Sequence, residues 1–256
     1  MKKSTLILIR HGESRWNLSN KFQGWVDVPL SKHGIEEAIT TARNLKNIKI
    51  HTAFTSKLER ARQTLSIILS RQELTGVFLH HDEKKEEWYT FKNKSENDDI
   101  IIHTSRLINE RYYGLLQGVN KSVARKKFGE DVVLQWRRGY AVRPPGGESI
   151  EDVYKRAVPY FTKKVLPLLK EGRNVIMVSH GNVMRAILKH IEDIPADYLP
   201  HLDLPSGKPI IYNYDKKGFS RTDGLFGFNR PLLWDHEKGS LSKKTRKQKI
   251  NKSRKQ

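Results

Sequence analysis

Two short apolar runs, each followed at once by polar residues that include a His-Gly pair, constrain the fold of this chain most strongly. Residues Thr5–Ile9 (TLILI) and Asn174–Ser179 (NVIMVS) are rich in β-branched residues, as strands buried on both faces are. Arg10-His11-Gly12 follows the first run, and His180-Gly181-Asn182 follows the second. A predicted helix comes after each of these two motifs. This order predicts a three-layer α/β sandwich with a mostly parallel central sheet and helices on both faces.

The segments between these strands contain clear helix signals. Apolar residues recur at helical spacing up to Leu45 behind a plausible N-cap, Ser31. His51–Thr55 is a second predicted strand, and the Ser56 to Glu59 spacing indicates a capping box. This places Arg62 in the second turn of the following helix. Later in the chain the breaker Pro-Pro-Gly-Gly precedes another predicted helix, which Ser149 and Asp152 start and which runs towards Leu169.

The domain organisation follows from charge and composition. We predict one catalytic domain over residues 1–236, interrupted by a charged insertion at about 81–104, and a basic tail at 237–256. The net charge is +20, and the tail has nine Lys or Arg from Lys238 onwards without any Asp or Glu. Too few apolar residues lie in this tail for it to fold by itself, so we expect it to be disordered.

Composition also excludes several classes of protein and site. The 256 residues contain no cysteine, which rules out a disulfide framework, a thiolate nucleophile and a Cys-ligated metal. No apolar run approaches the roughly 20 residues that span a bilayer, and the N-terminus has no signal-peptide pattern. The histidines outside the two His-Gly motifs show no metal-ligand spacing. We therefore expect a cytoplasmic protein without a metal site or a membrane partner.

Residues at the predicted strand ends are suited to a phosphate group. Arg10 and His11, Arg62 and His180 would meet there, because the carboxyl ends of parallel strands share one edge. Neighbouring arginines keep an imidazole neutral, and therefore nucleophilic, and they also bind phosphoryl oxygens. Transfer between hydroxyls needs a proton carrier as well, and Glu110 is the candidate carboxylate.

Five ordered blocks carry a family resemblance. They are RHGESRWN (Arg10 to Asn17) followed by FQGWVDVPLS, NERYYGLLQGVNK (Asn109 to Lys121), QWRRG (Gln135 to Gly139), PPGGES and SHGN. In content and order they resemble the cofactor-dependent phosphoglycerate mutase branch of the histidine phosphatase superfamily, from about Leu6 to Tyr214. One RHG motif alone would be a weak signal, whereas five ordered blocks are specific.

The resemblance implies an activity. By the family's chemistry, 2,3-bisphosphoglycerate primes the enzyme by phosphorylating His11, and 3- and 2-phosphoglycerate are then interconverted without a metal. Glu110 would be the acid/base, and Arg10, Arg62 and His180 would surround the phosphoryl group. A homodimer is a further implication. The substrate-binding residues implied are Ser14, Asn17, Gln23, Gly24, Arg111, Tyr113, Lys121, Arg137, Arg138, Gly181 and Asn182.

The sequence departs from the family pattern in three places. Gln23 stands where threonine is usual, the interval from Arg62 to Glu110 is long, and the basic tail replaces the usual C-terminal segment. Two alternatives stay open at this stage. One is a histidine-type phosphatase acting on small phosphoesters. The other is a nucleic-acid-binding protein with a degenerate mutase body, although we expect the tail to bind nucleic acid only nonspecifically.

Overall fold

The computed structural model describes residues 2–80 and 99–222, together with the backbone of two short segments, 234–235 and 240–241. Seven of the described strands form one sheet in the order β3-β4-β2-β5-β1-β6-β7. The first five in this order are parallel, β6 is antiparallel to β1, and β7 is antiparallel to β6. The strands are β1 (Ser4–Arg10), β2 (Thr52–Thr55), β3 (Thr75–His80), β4 (Asp99–Thr104), β5 (Val175–Ser179), β6 (Pro209–Asp215) and β7 (Gly218–Arg221); β8 (Trp234–Asp235) pairs with β9 (Ser240–Leu241).

Helices pack on both faces of this sheet. Of the three helix starts predicted from Ser31, Ser56 and Ser149, the first and the third have the predicted side-chain cap. Ser31 accepts a hydrogen bond from the Gly34 amide, and Ser149 and Asp152 form a reciprocal capping box. The helices are α1 (Arg15–Leu18), α2 (Lys32–Leu45), α3 (Glu59–Ser70), α4 (Lys121–Phe128), α5 (Glu130–Arg138), α6 (Ile150–Tyr160), α7 (Leu166–Lys170) and α8 (Gly181–Glu192). A π-helical turn, Phe161–Val165, joins α6 to α7, and 3₁₀ turns cover Arg106–Ile108, Gly114–Leu116 and Ala196–His201.

The core consists of two apolar clusters, one on each face of the sheet. On β1, Leu6 and Leu8 belong to one cluster, while Ile7 and Ile9 belong to the other. The first cluster includes residues of α6, α7 and α8, and the second includes residues of α2 and α3. The prediction of a mostly parallel sheet with helices on both faces is confirmed, and β1 is buried on both faces as its composition indicated.

The predicted insertion at 81–104 was too long. Asp99–Thr104 forms β4, which pairs in parallel with β2 and with β3 and so belongs to the central sheet. The alternating burial of this strand is a period-two pattern, which the neighbouring charged residues obscured at the sequence level. The rest of the proposed insertion, residues 81–98, lies outside the described residues, as does the basic tail apart from the backbone of Ser240–Leu241.

The strand order determines where the functional side chains meet. β5 lies between β1 and β2, and the three strands are parallel, so their carboxyl ends are adjacent. His11 follows β1, Ser56 follows β2 and His180 follows β5. Over the part of the chain that is described, no helix combines the length and apolar character needed to cross a bilayer.

Replacement of a core side chain at the centre of β1 tests this account of the sheet. Leu8 is 0% exposed, so we expect Leu8→Ala to lower the free energy of unfolding by about 2–5 kcal/mol, through lost burial and the cavity left behind. Leu115 is 80% exposed, and Leu115→Ala should change stability by less than about 0.5 kcal/mol. Urea unfolding of both variants measures the difference. Equal losses would contradict the assignment of β1 to the core.

Candidate active site

The strand ends open into a polar cavity that brings together most of the residues predicted from sequence. Its walls come from β1, from helices α1, α3, α4, α5 and α8, and from three loops: the loop after α1, the segment with Glu110 and Tyr113, and the segment before β6. Predicted residues that line it are Arg10, His11, Asn17, Gln23, Gly24, Glu110, Tyr113, Lys121, Arg137, Arg138, Gly181 and Asn182. Lys21, Phe22, Arg60, Arg185 and Asp203 also line it.

His11 presents one defined ring nitrogen for chemistry. Its Nδ1 lies 2.7 Å from the carbonyl oxygen of Gly12, and a carbonyl only accepts hydrogen bonds, so Nδ1 carries the proton. Its Nε2 accepts a hydrogen bond of 3.3 Å from the Arg60 Nε. Nε2 is therefore the unprotonated nitrogen. The tautomer that a phosphorus nucleophile requires is set by the backbone at Gly12 and by Arg60.

The surroundings of His11 also oppose its protonation. The side chain is buried, and this burial lowers the pKa of His11 well below its usual value. The positive charges of Arg60 and Arg10 lower it further, whereas the hydrogen bond to Gly12 acts in the opposite direction. The ring consequently stays neutral at physiological pH, with a lone pair on Nε2.

Arg60, rather than the predicted Arg62, is the arginine of α3 in this cluster. Arg60 is completely buried, and it donates from Nη1 to the Val26 carbonyl and from Nη2 to the Gly24 carbonyl. The Arg62 side chain is 39% exposed, and its guanidinium lies over the Phe78 ring, 5.0 Å from the ring centroid. The assignment of Arg62 to the phosphoryl site was therefore wrong.

The error has a physical cause in the start of α3. The helix begins at Glu59 without a side-chain cap at Leu58, so the capping box predicted from Ser56 and Glu59 does not form. The Ser56 hydroxyl instead lies 2.7 Å from the His180 Nε2. Residues two apart in a helix differ in direction by about 200°. Arg60 consequently faces the strand ends, and Arg62 faces β3.

His180 is the second buried imidazole of the site. Its ring centroid is 5.0 Å from that of His11, and burial lowers the pKa of His180 well below its usual value, with a further contribution from Arg60. While Nε2 pairs with Ser56, the buried Nδ1 has no hydrogen-bond partner among the described residues. When the Ser56 hydroxyl donates to Nε2, the ring proton of His180 is on Nδ1. His180 lies beside His11 without itself lining the cavity.

Glu110 is fixed at the cavity wall by contacts on both its side chain and its backbone. Its Oε1 accepts from the Arg111 amide at 2.8 Å and from the Asn182 Nδ2 at 3.1 Å. Its carbonyl oxygen accepts from the Trp25 indole at 2.5 Å and from the Arg156 Nη2 at 3.0 Å. Glu110 is thus held by four residues, two at its carboxylate and two at its backbone carbonyl. A general acid/base needs such a fixed position.

A second basic cluster lines the cavity from α4 and α5, with Lys121 on α4 and Arg137 and Arg138 on α5. Burial and the charges of Arg137 and Arg10 lower the pKa of Lys121 to about 8. Arg111 is completely buried, and its Nη2 donates to the Trp136 and Arg137 carbonyls at 2.6 Å each, although it does not itself line the cavity. Its Nε and Nη1 have no partner among the described residues. Cations at this density indicate a site for a second anionic group.

The remaining predicted residues shape the wall between the two basic regions. Ser14 caps α1, accepts from the Gln23 Nε2 at 2.5 Å and donates to the Asn17 Oδ1 at 3.0 Å, without lining the cavity itself. Gly24 has a φ of +56°, and its carbonyl accepts from Arg60. A side chain at Gly24 would be strained and would meet Gln117. The turn at Gly24 therefore both lines the cavity and holds the Arg60 guanidinium.

Several residues of the site were missed at the sequence level. Arg60 could have been found from the inward face of α3, since Ala61, Thr64 and Leu65 are buried with it. Arg156, which holds the Glu110 backbone and pairs with Glu148, gave no local signal. Within the described residues, no group of three or more His, Asp or Glu side chains is placed to hold a metal ion.

Comparison with known sequences classifies the chain. The family description "Histidine phosphatase superfamily (branch 1)" matches residues 6–89 and 87–222. A 2,3-bisphosphoglycerate-dependent phosphoglycerate mutase of Methanosarcina acetivorans is 43% identical over 227 residues, which cover 82% of this chain and 92% of the relative. The enzyme of that name from Methanococcus vannielii is 40% identical, covering 90% of this chain and 100% of the relative. The chain belongs to the phosphoglycerate mutase family of the histidine phosphatase superfamily. The resemblance seen in the five sequence blocks is confirmed.

Solved structures of superfamily members share the fold of this phosphoglycerate mutase family member. A mycobacterial glucosyl-3-phosphoglycerate phosphatase in complex with VO3 superimposes with a TM-score of 0.65 at 23% identity, covering 82% of this chain and 92% of the other. A putative alpha-ribazole-5'-P phosphatase from Escherichia coli gives 0.65 at 20% identity, covering 86% and 94%. At these identities the likeness concerns the fold alone.

The assignment of Arg60 can be tested against Arg62. We expect Arg60→Lys to weaken the binding of inorganic phosphate by about tenfold or more, because lysine cannot keep the fork that joins His11 to two carbonyls. Arg62→Lys, two residues away, should bind phosphate like the parent chain. Isothermal titration gives both affinities, and thermal unfolding without ligand checks that each variant is folded. A loss confined to the Arg62 variant would restore the original assignment.

The protonation of His11 is a separate test. Because burial and two arginines lower its pKa, we expect the ring to remain neutral as the pH falls through 6.5, the usual value. Protonation then occurs only at more acidic pH. An ¹⁵N NMR titration, with the His11 signals assigned by their loss in His11→Gln, should show neutral imidazole with the proton on Nδ1. A titration at or above the usual value would contradict the burial argument.

Proposed function

We propose that this chain interconverts 3-phosphoglycerate and 2-phosphoglycerate, with the phosphoryl group carried on the Nε2 of His11. The relatives that are about 40% identical over most of the chain are named 2,3-bisphosphoglycerate-dependent phosphoglycerate mutases. The observation that carries the proposal is one cavity that contains a neutral histidine beside Arg60 and a second basic cluster on α4 and α5. A phosphatase needs only the first of these features.

The first step transfers the phosphoryl group to the enzyme. The Nε2 lone pair forms a bond to phosphorus as the bond between phosphorus and the ester oxygen breaks. Arg10 and Arg60 stabilise the negative charge that spreads over the phosphoryl oxygens, and the free Nδ1–H of His180 donates to one of them. Both cations are in place beforehand, so no reorganisation is needed during the reaction.

Glu110 supplies the proton that each half-reaction needs. In its acid form it gives a proton to the departing ester oxygen, which becomes a hydroxyl. In the return step its carboxylate takes the proton of the incoming hydroxyl as that oxygen attacks the phosphorylated His11 and the N–P bond breaks. The contacts from Asn182 and Arg111 hold the carboxylate in one place for both directions.

The second basic cluster would retain the substrate while it reorients. Lys121, Arg137 and Arg138 can bind the carboxylate and the phosphate that is not being transferred, and Tyr113 and Asn182 complete the wall between them. The same two-centre arrangement fits 2,3-bisphosphoglycerate, which has anionic groups at both ends. When bound, this compound supplies the phosphoryl group that loads His11.

Gln23 has a defined place in the proposal. Its Nε2 is used by Ser14, and its buried Oε1 has no partner among the described residues. An acceptor oxygen in this position can bind a substrate hydroxyl but not a phosphate oxygen. We therefore assign Gln23 to the hydroxyl side of the substrate.

Three further properties belong to the proposed function: the absence of a metal requirement, the cellular location and the oligomeric state. The reaction needs no metal, because arginine and lysine side chains supply the cationic charge that a metal would provide. We also propose a cytoplasmic location, where phosphoglycerates are found, and a homodimer, by analogy with the family.

The decisive experiment follows the phosphoryl group. Incubation with ³²P-labelled 2,3-bisphosphoglycerate should give an acid-labile label on the parent chain, and 3-phosphoglycerate with a trace of the bisphosphate should yield 2-phosphoglycerate. His11→Ala should abolish both. His33→Ala, whose side chain is 66% exposed on α2, is the control and should retain both. Release of inorganic phosphate without isomerisation would favour the phosphatase, and an unlabelled, inactive parent chain would favour the degenerate-body alternative.

A further inference from the structure

Three arginines of the cavity are anchored by one short segment of chain, residues 200–204. Each donates one guanidinium N–H to a backbone carbonyl, and the three carbonyls belong to alternate residues. The bonds join Arg138 Nη1 to Pro200 O (2.7 Å), Arg185 Nη2 to Leu202 O (2.8 Å) and Arg10 Nη1 to Leu204 O (2.7 Å). Pro200 belongs to the 3₁₀ turn Ala196–His201, and Leu202, directly after this turn, is extended with φ −67° and ψ 114°. The three guanidinium groups therefore share one anchoring segment, and all three arginines line the same cavity.

Two of these arginines already have a place in the proposed function, whereas Arg185 does not. Arg10 lies at the phosphoryl end beside His11, and Arg138 belongs to the second basic cluster. Arg185 is anchored between them, on α8, three residues after Asn182 and therefore on the same side of the helix. It lines the same cavity as both.

The guanidinium of Arg185 has donors to spare. Its single bond to Leu202 uses Nη2, and the buried Nε has no partner among the described residues. Burial and the charges of Arg10 and Arg138 lower the pKa of Arg185 to about 10, and Glu110 offsets this only in part. An anion placed between the two neighbouring arginines would supply both the missing acceptor and the missing negative charge.

We propose that Arg185 is a further substrate-binding residue, which holds an anionic group of phosphoglycerate between Arg10 and Arg138. This inference rests on the proposed function and adds a residue to it. The group is a carboxylate or the phosphate that stays on the substrate, since both offer the paired oxygens that match a guanidinium fork. The 200–204 segment sets the position of Arg185 relative to the two other arginines.

The test compares Arg185→Met and Arg185→Lys with Lys189→Met in the intact chain. Lys189 lies one turn further along α8, has the same charge, and donates from Nζ to the Ile194 carbonyl at 2.7 Å without lining the cavity. Loss of a charged hydrogen bond should raise the KM and Kd for 3-phosphoglycerate about 10- to 100-fold in Arg185→Met. Arg185→Lys should recover part of this loss, and Lys189→Met should match the parent.

A second ligand identifies the group that Arg185 binds. Glycerol 3-phosphate lacks the carboxylate, so its affinity should be unchanged in Arg185→Met if Arg185 holds the carboxylate. An equal loss for both ligands would identify the phosphate instead, and both results support the proposal. Should Arg185→Met fail to fold, as judged by thermal unfolding without ligand, Arg185→Lys carries the comparison, because lysine can still donate to Leu202.

The inference and the proposed function fail in different ways. A parent chain that isomerises 3-phosphoglycerate, alongside Arg185 variants whose KM and Kd stay within twofold of it, would overturn only the role of Arg185. An equal loss of affinity in Lys189→Met would also overturn it, because the effect would then come from net charge on α8. A parent chain that neither isomerises the substrate nor labels His11 would reject the proposed function itself.

Discussion

The contact between Arg60 and His11 is the interaction on which the rest of the site depends. A buried imidazole and a buried guanidinium would normally be unfavourable neighbours, because each loses hydration and gains no opposite charge. Here the unfavourable free energy of burial is reduced because the imidazole stays neutral, and it is offset because the guanidinium donates to two carbonyls, on Gly24 and Val26. The result is a nucleophilic nitrogen with a fixed tautomer, next to a cation that is ready to bind a phosphoryl oxygen.

The same solution recurs around the cavity. Arg111, Arg138 and Arg185 are each held by backbone carbonyls. None of the three forms an ion pair with a carboxylate of the described residues, so the dipoles of the chain partly compensate their charge. A carbonyl carries only a partial charge, which leaves the cavity strongly positive. Backbone anchoring therefore makes these arginines rigid while preserving their attraction for anions. Carboxylate partners would have fixed them equally well but would have competed with an acidic substrate.

The distinction between mutase and phosphatase chemistry lies outside the shared fold. Solved superfamily members that are phosphatases superimpose on this chain over most of its length. In this chain the sheet and its strand ends supply the neutral histidine and the first arginines. In the proposed function, a substrate with two anionic groups is retained by the wall formed by α4, α5 and the start of α8, which presents Lys121, Arg137 and Arg185. Function is therefore decided by side chains added to a common scaffold.

The sequence by itself determined the mostly parallel fold class, three buried strands (β1, β2 and β5), the caps at Ser31 and Ser149, and His11, Glu110 and His180 as site candidates. These features are local, because burial periodicity, capping chemistry and sequence motifs each depend on residues that are close together in the sequence. Only the tertiary structure decided between Arg60 and Arg62, placed Asp99–Thr104 in the sheet, and brought Arg185 beside Arg10. Each of these depends on the phase of a helix or the register of a strand against a distant partner. A rotation of about 200° separates Arg60, which lies beside His11, from Arg62, which lies over Phe78.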